Sequence, residues 1–323
     1  MNTSADLIWG NLLHLSFNMW PDRNAPNLPH EWKFHERMYF DDALWLEITQ
    51  EMAAIDMNMV VLDLGDAVHY ASHPEISLPD AWSHDRLKRE LARLRNLGLE
   101  PIPKLNFSTG HDAWLKTYSR MVSTPKYYEV CANLIAEISA LFDTPRFFHL
   151  GMDEETATNQ THFNLAVIRQ HELYWRDFQF LVDEVEKHGV RAWIWSDMIW
   201  DHAEAWLKHM PKQVLQSNWY YHNEFENAPA KYGRDMHAPN TYALLQHHGF
   251  DQIPCASVWA TPENLALTVA HCQRVIAPER LKGFLMASWE PTVQTSREKH
   301  LLALRCVAEA KAGFNPTFMP KAE

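Results

Sequence analysis

Phe147-Phe148-His149-Leu150-Gly151-Met152-Asp153-Glu154-Glu155 is the stretch on which the reading of this chain turns. Its first half is a short apolar run rich in aromatic residues, the composition of a buried strand. Its second half crowds carboxylates together at Asp153, Glu154 and Glu155. Where strands and helices alternate, active sites form beyond the C-terminal tips of the strands. Adjacent carboxylates there repel each other unless a cation, a shared proton or a substrate relieves them. Such an arrangement costs stability and suits acid–base chemistry.

Similar apolar runs recur on both sides, predicting strands at 12–17, 59–64, 100–105, 147–151, 192–196, 214–219, 256–259 and 284–288. Between them lie stretches with apolar residues at helical spacing, such as Leu44, Trp45, Ile48, Met52 and Ile55 over 41–56. Further helices are expected at 84–97, 126–142, 162–188, 203–209, 262–276 and 297–312, with starts at Thr261-Pro262-Glu263 and Ser296-Arg297-Glu298. Gly98 and Gly189 stand where helix C-caps belong. The sixth crossover, 223–248, is long and rich in Asn, His and Pro, and reads as an active-site loop. Eight alternations predict an α/β fold, a single (β/α)8 TIM barrel occupying residues 1–323 as one domain.

Composition narrows the functions. A net charge of -12 with no Lys/Arg-rich block excludes nonspecific nucleic-acid binding. The four cysteines lack CxxC spacing, as expected of free buried thiols. There is no run of about 18 apolar residues, so no membrane span is expected, and residues 1–6 lack the basic start of a leader, which points to the cytoplasm for the chain as it stands. Despite 19 His, no His-x-His follows the first strand and no His-Glu-x-x-His occurs, so neither a metal nor another cofactor is expected. Fourteen Trp is a conspicuous excess of flat apolar plates carrying one N–H donor each.

Polar and aromatic residues collect at the predicted strand ends: Asn18 and Trp20; Asp63, Asp66 and His69; Lys104, Asn106 and His111; His149, Asp153 and Glu154; Trp195, Asp197 and Trp200; Asn218, Trp219, Tyr220 and Tyr221; Trp259; Trp289 and Glu290. A rim of indoles and carboxylates fits a carbohydrate, because indole faces stack on a pyranose while carboxylates bind hydroxyls or move protons. The same tryptophans could instead fill barrel layers. His149 reads equally as an orienting group or a core histidine, and Asp66 and Asp197 as site residues or as partners of a helix end or an arginine.

His149-Leu150-Gly151-Met152-Asp153-Glu154 resembles the His-x-Gly-Gly-Asp-Glu signature of glycoside hydrolase family 20, the β-N-acetylhexosaminidases. Residues 52–66, 98–106 leading into Thr109-Gly110-His111, and Trp289-Glu290 are similar to that family's second, third and eighth strand regions. The chain departs from the pattern at Met152, which replaces the second signature Gly. It also departs at Lys104 and Asn106, where the family has Glu and Asp, and after strand one, where Asn18 and Arg23 are the nearest polar residues to an expected Arg. Trp289 and Glu290 are one residue closer than the family's Trp-x-Glu.

The resemblance implies an exo-acting hydrolase of terminal N-acetylhexosamines that retains configuration, the substrate's acetamido oxygen serving as nucleophile. Glu154 is then the general acid, with a pKa expected to be raised by Asp153 and burial, and Asp153 orients the acetamido group. His111 belongs to the acid's surroundings. Trp195, Trp219 and Trp289 cage the acetamido group, Trp259 joins the aromatic rim, and Tyr221 (with Tyr220 left open) donates to the acetamido oxygen. Glu290 binds hydroxyls, while Asn18, Asp66, Asp197 and His149 are further binding candidates. Glu155 is expected to be a loop or helix-entry residue outside the chemistry. Two other readings stay open: a conventional retaining glycosidase with Glu263 or Glu290 as nucleophile, and an inactive sugar-binding barrel.

Overall fold

A computed structural model describes residues 7–20, 29–226 and 237–320. Its eight strands are β1 (Ile8–His14), β2 (Met59–Asp63), β3 (Glu100–Lys104), β4 (Phe147–His149), β5 (Arg191–Trp195), β6 (Leu215–Ser217), β7 (Cys255–Ala256) and β8 (Gly283–Ala287). The helices are α1 (Asp42–Ala54), α2 (His84–Asn96), α3 (Pro125–Leu141), α4 (Glu172–Glu186), α5 (Ala203–His209), α6 (Asn240–His247), α7 (Asn264–Val275) and α8 (Arg297–Gly313). All strand pairs are parallel, in the order β6-β5-β4-β3-β2-β1-β8-β7. Single bridges from Gln216 to Gln252 and from Trp219 to Cys255 join the two ends, so the sheet closes into the (β/α)8 barrel that the sequence predicts.

Strand periodicity sorts the apolar residues into two layers. Ile8, Leu12, Met59, Val61, Ile102, Phe147, Trp193, Leu215 and Leu285 pack together inside the barrel. Their neighbours Leu13, Val60, Leu62, Phe148, Ile194 and Met286 join the larger core with the helices. At the C-terminal ends of β1 to β4 this alternation continues with His14, Asp63, Lys104 and His149, all buried. Lys104 Nζ donates to Asp63 at 2.5 Å, and His14 Nδ1 lies 3.1 Å from the same oxygen. Burial pushes the Asp63 carboxyl up, but the Lys104 ammonium and His14 outweigh it and hold the group well below the usual carboxylate range. Lys104, one of the departures noted above, therefore belongs to a charged layer in the barrel interior.

Several boundaries differ from the sequence reading, two of them by four residues or more. Strand β1 begins four residues earlier than predicted, because Trp9, Gly10 and Asn11 extend the strand although they break its apolar run. Helix α4 begins at Glu172 rather than 162. Residues before it are held in irregular form by Gln160, whose amide donates to Thr109 and the Val167 carbonyl and whose oxygen accepts from the Val167 N–H. Arg23 and residues 227–236 of the sixth crossover lie outside the described residues; the crossover does contain a helix, α6. Ser83, Asp41 and Thr124 cap α2, α1 and α3 through side-chain acceptors. Among the described residues no helix is long and apolar enough to cross a membrane, and all four cysteines are free and buried.

Candidate active site

After His149 the chain leaves β4 in a tight, unusual turn. Gly151, Met152 and Glu154 all have positive φ, at 72°, 72° and 57°. This conformation is easy for Gly and costs other residues about 1–2 kcal/mol. His149 Nδ1 accepts the Gly151 N–H at 3.0 Å, so its proton sits on Nε2, and burial drives its pKa well down. A Cβ on Gly151 would lie 2.0 Å from Asn106 Oδ1. That oxygen accepts from the N–H groups of Met152 and Ser108, while the Asn106 amide donates to Asp153 Oδ1 at 2.8 Å. The Glu154 N–H donates to Asp197 Oδ2 at 2.9 Å.

The turn aims Asp153 and Glu154 at His111. Its Nδ1 lies 3.7 Å from Asp153 and its Nε2 3.5 Å from Glu154. Burial lowers the His111 pKa, and the charge of Asp153 only partly opposes this. A neutral imidazole thus lies between two carboxylates, one nearly buried and one a third exposed. Their ligand atoms lie within 4.8 Å of one another, the one set of three so spaced among the described residues. Such an oxygen–oxygen–nitrogen set would also accept a divalent cation.

These groups open onto a cavity of about 230 Å³. Trp195, Trp219, Tyr221 and Trp289 form one side of it. Trp219 stacks on Tyr221 at 5.0 Å, Trp195 meets Trp289 at 5.8 Å, and Trp219 Nε1 donates to Asp197 Oδ1 at 3.3 Å. The buried Trp195 N–H has no hydrogen-bond partner. Trp259 stands at the mouth, 59% exposed. Phe17, Met19, Trp20 and Trp32 also line it.

Of the residues expected from the sequence, Asp153, Glu154, His111, Trp195, Trp219, Tyr221, Trp259 and Trp289 line this cavity. Tyr221, not Tyr220, faces it; the Tyr220 hydroxyl donates to Glu224. Asp197 stands behind, holding Glu154 and Trp219. His149 is fully buried, does not line the cavity, and binds backbone rather than a carboxylate. Three candidates are engaged elsewhere. Asn18 binds both backbone groups of His35 and donates to Asp66, whose other oxygen accepts from Ser16. Glu290 accepts from Ser296 at 3.0 Å and pairs with Lys299.

Glu155 is a loop residue after β4, as expected, and a structural one. It is buried, accepts two bonds from the Arg169 guanidinium and one each from the N–H groups of Arg169 and Thr109, and so ties the segment before α4 to the β3 loop. Sequence reasoning placed Trp20 and Asn106 at strand ends without assigning them to the site, and missed Phe17, Met19 and Trp32 as cavity residues. Asn106 had a signal, since it stands two residues beyond β3; Trp32 had none, because it arrives from a turn remote from any strand end.

The fold and this rim define a (β/α)8 barrel with a carboxylate pair facing an aromatic pocket. No protein-family model and no curated protein matches the chain. Solved structures do. The family 20 exo β-N-acetylglucosaminidase of Vibrio harveyi, in complex with N-acetylglucosamine, superposes with a TM-score of 0.64 at 16% identity, over 94% of this chain and 54% of that one. The β-N-acetylhexosaminidase of Bacteroides fragilis gives 0.64 at 13% identity, over 98% and 66%. The N-acetyl-β-hexosaminidase of Streptomyces plicatus, with Thio-NAglucal bound, gives 0.61 at 14%, over 94% and 63%. At these identities the likeness is one of fold, and the chain spans between about half and two thirds of their length.

Proposed function

We propose that the chain is an exo-acting β-N-acetylhexosaminidase that retains configuration by substrate-assisted catalysis. The observation that carries this reading is the pair Asp153–Glu154, bracketed by His111 and facing the cage of Trp195, Trp219, Tyr221 and Trp289. The acetamido oxygen of the sugar attacks the anomeric carbon while Glu154 gives its proton to the departing glycosidic oxygen. Asp153 holds the acetamido N–H and balances the positive charge of the oxazolinium. Glu154 then takes a proton from the water that opens this ring and restores the acetamido group. Tyr221 and the free N–H of Trp195 are the donors at hand for the acetamido oxygen. The Vibrio harveyi structure, in complex with N-acetylglucosamine, supports a carbohydrate in this cavity.

A conventional nucleophile is less well supported. Glu263 is exposed and bonded to Thr261, and Glu290 is bonded to Ser296 and Lys299. Neither lines the cavity, whereas a retaining pair needs carboxyl groups about 5–5.5 Å apart.

Aryl glycosides with and without a 2-acetamido group, offered to wild type and Glu154→Gln, test the proposal. Cleavage of only acetamido sugars, falling about 100-fold or more in the variant for leaving groups that need protonation, is expected. Cleavage restricted to sugars lacking the group would overturn the mechanism. Activity should persist in a chelator; loss in the chelator and recovery on adding a divalent metal would assign the His111 cluster to a cation instead.

A further inference from the structure

Asp197 joins the carboxylate side of the pocket to its aromatic side. It opens the short 3-10 turn Asp197–Trp200 after β5, two residues beyond Trp195, and is buried without lining the cavity. Its carboxylate divides its oxygens between two elements. Oδ2 accepts the backbone N–H of Glu154 at 2.9 Å, and Oδ1 accepts the indole N–H of Trp219 at 3.3 Å. The same turn supplies Trp200, which meets Trp219 edge-on at 4.5 Å and donates to Asn218 at 2.9 Å. The backbone that Asp197 holds is one that needs holding. Glu154 has its φ at 57°, a conformation that a side chain with a Cβ keeps only where its surroundings enforce it. A carboxylate can serve two N–H donors at once because it accepts at both oxygens; an amide of the same shape cannot.

Resting on the reading of Glu154 as the proton donor, we propose that Asp197 is a positioning residue that couples the acid to the cage. One buried carboxylate sets both the orientation of the Trp219 indole and the aim of the Glu154 side chain. A sugar that settles against Trp219 thereby steadies the acid that must protonate its leaving group.

Asp197→Asn tests this, because it keeps the size of the side chain yet leaves one of the two N–H groups facing an N–H. The substrates are phenyl and 2,4-dinitrophenyl 2-acetamido-β-glycosides, since the first needs its leaving group protonated and the second hardly does. kcat should fall about 100-fold on the phenyl glycoside and less than about 5-fold on the dinitrophenyl one. In a Trp219→Phe background the asparagine oxygen can serve Glu154 alone, so the same change should cost less than about 5-fold on either substrate. No loss, an equal loss on both leaving groups, or a loss unaltered by removing the Trp219 indole overturns the coupling. Should Asp197→Asn not fold, Trp219→Phe alone decides: a loss larger on the phenyl glycoside upholds the coupling, and a uniform loss overturns it. If wild type cleaves neither glycoside, the hydrolase reading falls and the coupling is judged by NMR of protein labelled with 15N-glutamate. Trp219→Phe should then move the Glu154 amide signal, assigned by its absence in Glu154→Gln, and should not move it once Asp197 is asparagine. A signal that stays in place, or moves equally in both backgrounds, overturns it.

Discussion

Asn106 shows how much one amide can organise. It donates to Asp153 and accepts from two backbone N–H groups, one of them in the turn that carries the carboxylates. The sequence marks it as a polar strand-end residue and as a departure, since the pattern it resembles has an acid there; the geometry makes it the donor that keeps Asp153 in place. Asn106→Asp replaces that donor with an acceptor. Activity should fall about 10- to 100-fold at neutral pH and recover as the pH is lowered, because a protonated carboxyl donates again. A pH–rate profile that merely scales down, unchanged in shape, would contradict this account. The residues legible from sequence are those whose own chemistry announces them, such as Glu154 and the rim tryptophans. Asn18, Asp66 and Glu290 carry the same chemical promise, yet their partners lie up to 50 residues away, which no local pattern reveals.

At the scale of elements, the turn after β4 explains what its one glycine encodes. Gly151 has its φ at 72° and Asn106 packed where a Cβ would be. Gly151→Ala should destabilise the protein by about 2–4 kcal/mol, combining backbone strain with a displaced hydrogen-bond network. Urea unfolding of the purified variant measures this, and a change below about 0.5 kcal/mol would mean the turn relaxes freely. Met152 holds the same backbone conformation with a buried side chain. Its position in the signature thus specifies a conformation more than a residue. The salt bridge of Arg169 with Glu155 secures the neighbouring segment, and Arg169→Met leaves a buried carboxylate unpaired, at a cost of about 3–5 kcal/mol. Strands and helices were readable from periodicity because burial enforces it. The segment before α4 was not, because side chains such as Gln160 and Glu155 shape it and its apolar spacing mimics a helix.

Over the whole molecule, buried charge makes stability depend on pH. Burial pushes the Asp66 carboxyl up to about 6 from 3.8, against the opposing bonds from Ser16 and Asn18. The folded protein therefore holds a proton there that the unfolded chain releases. Its stabilising effect is complete below pH 3.8 and is lost as the pH rises through about 6. The difference amounts to about 3 kcal/mol at most. Subtracting the Asp66→Asn stability curve from that of wild type should expose a downward step between those values; a flat difference would dismiss it.

The closure of the barrel carries a last consequence. β1 pairs with each neighbour over five residues, whereas β6 and β7 meet through isolated bridges, and β7 is two residues long. The wall of the barrel is thus a hoop with a clasp, and Cys255 sits in the clasp with its thiol buried. Local opening frees the least-bonded elements first, so a thiol reagent becomes a clock for that opening. Cys255 should be modified before Cys131 and Cys272 in mild denaturant, and a ligand seated against Trp219 and Tyr221 should slow the clock by fastening the hoop.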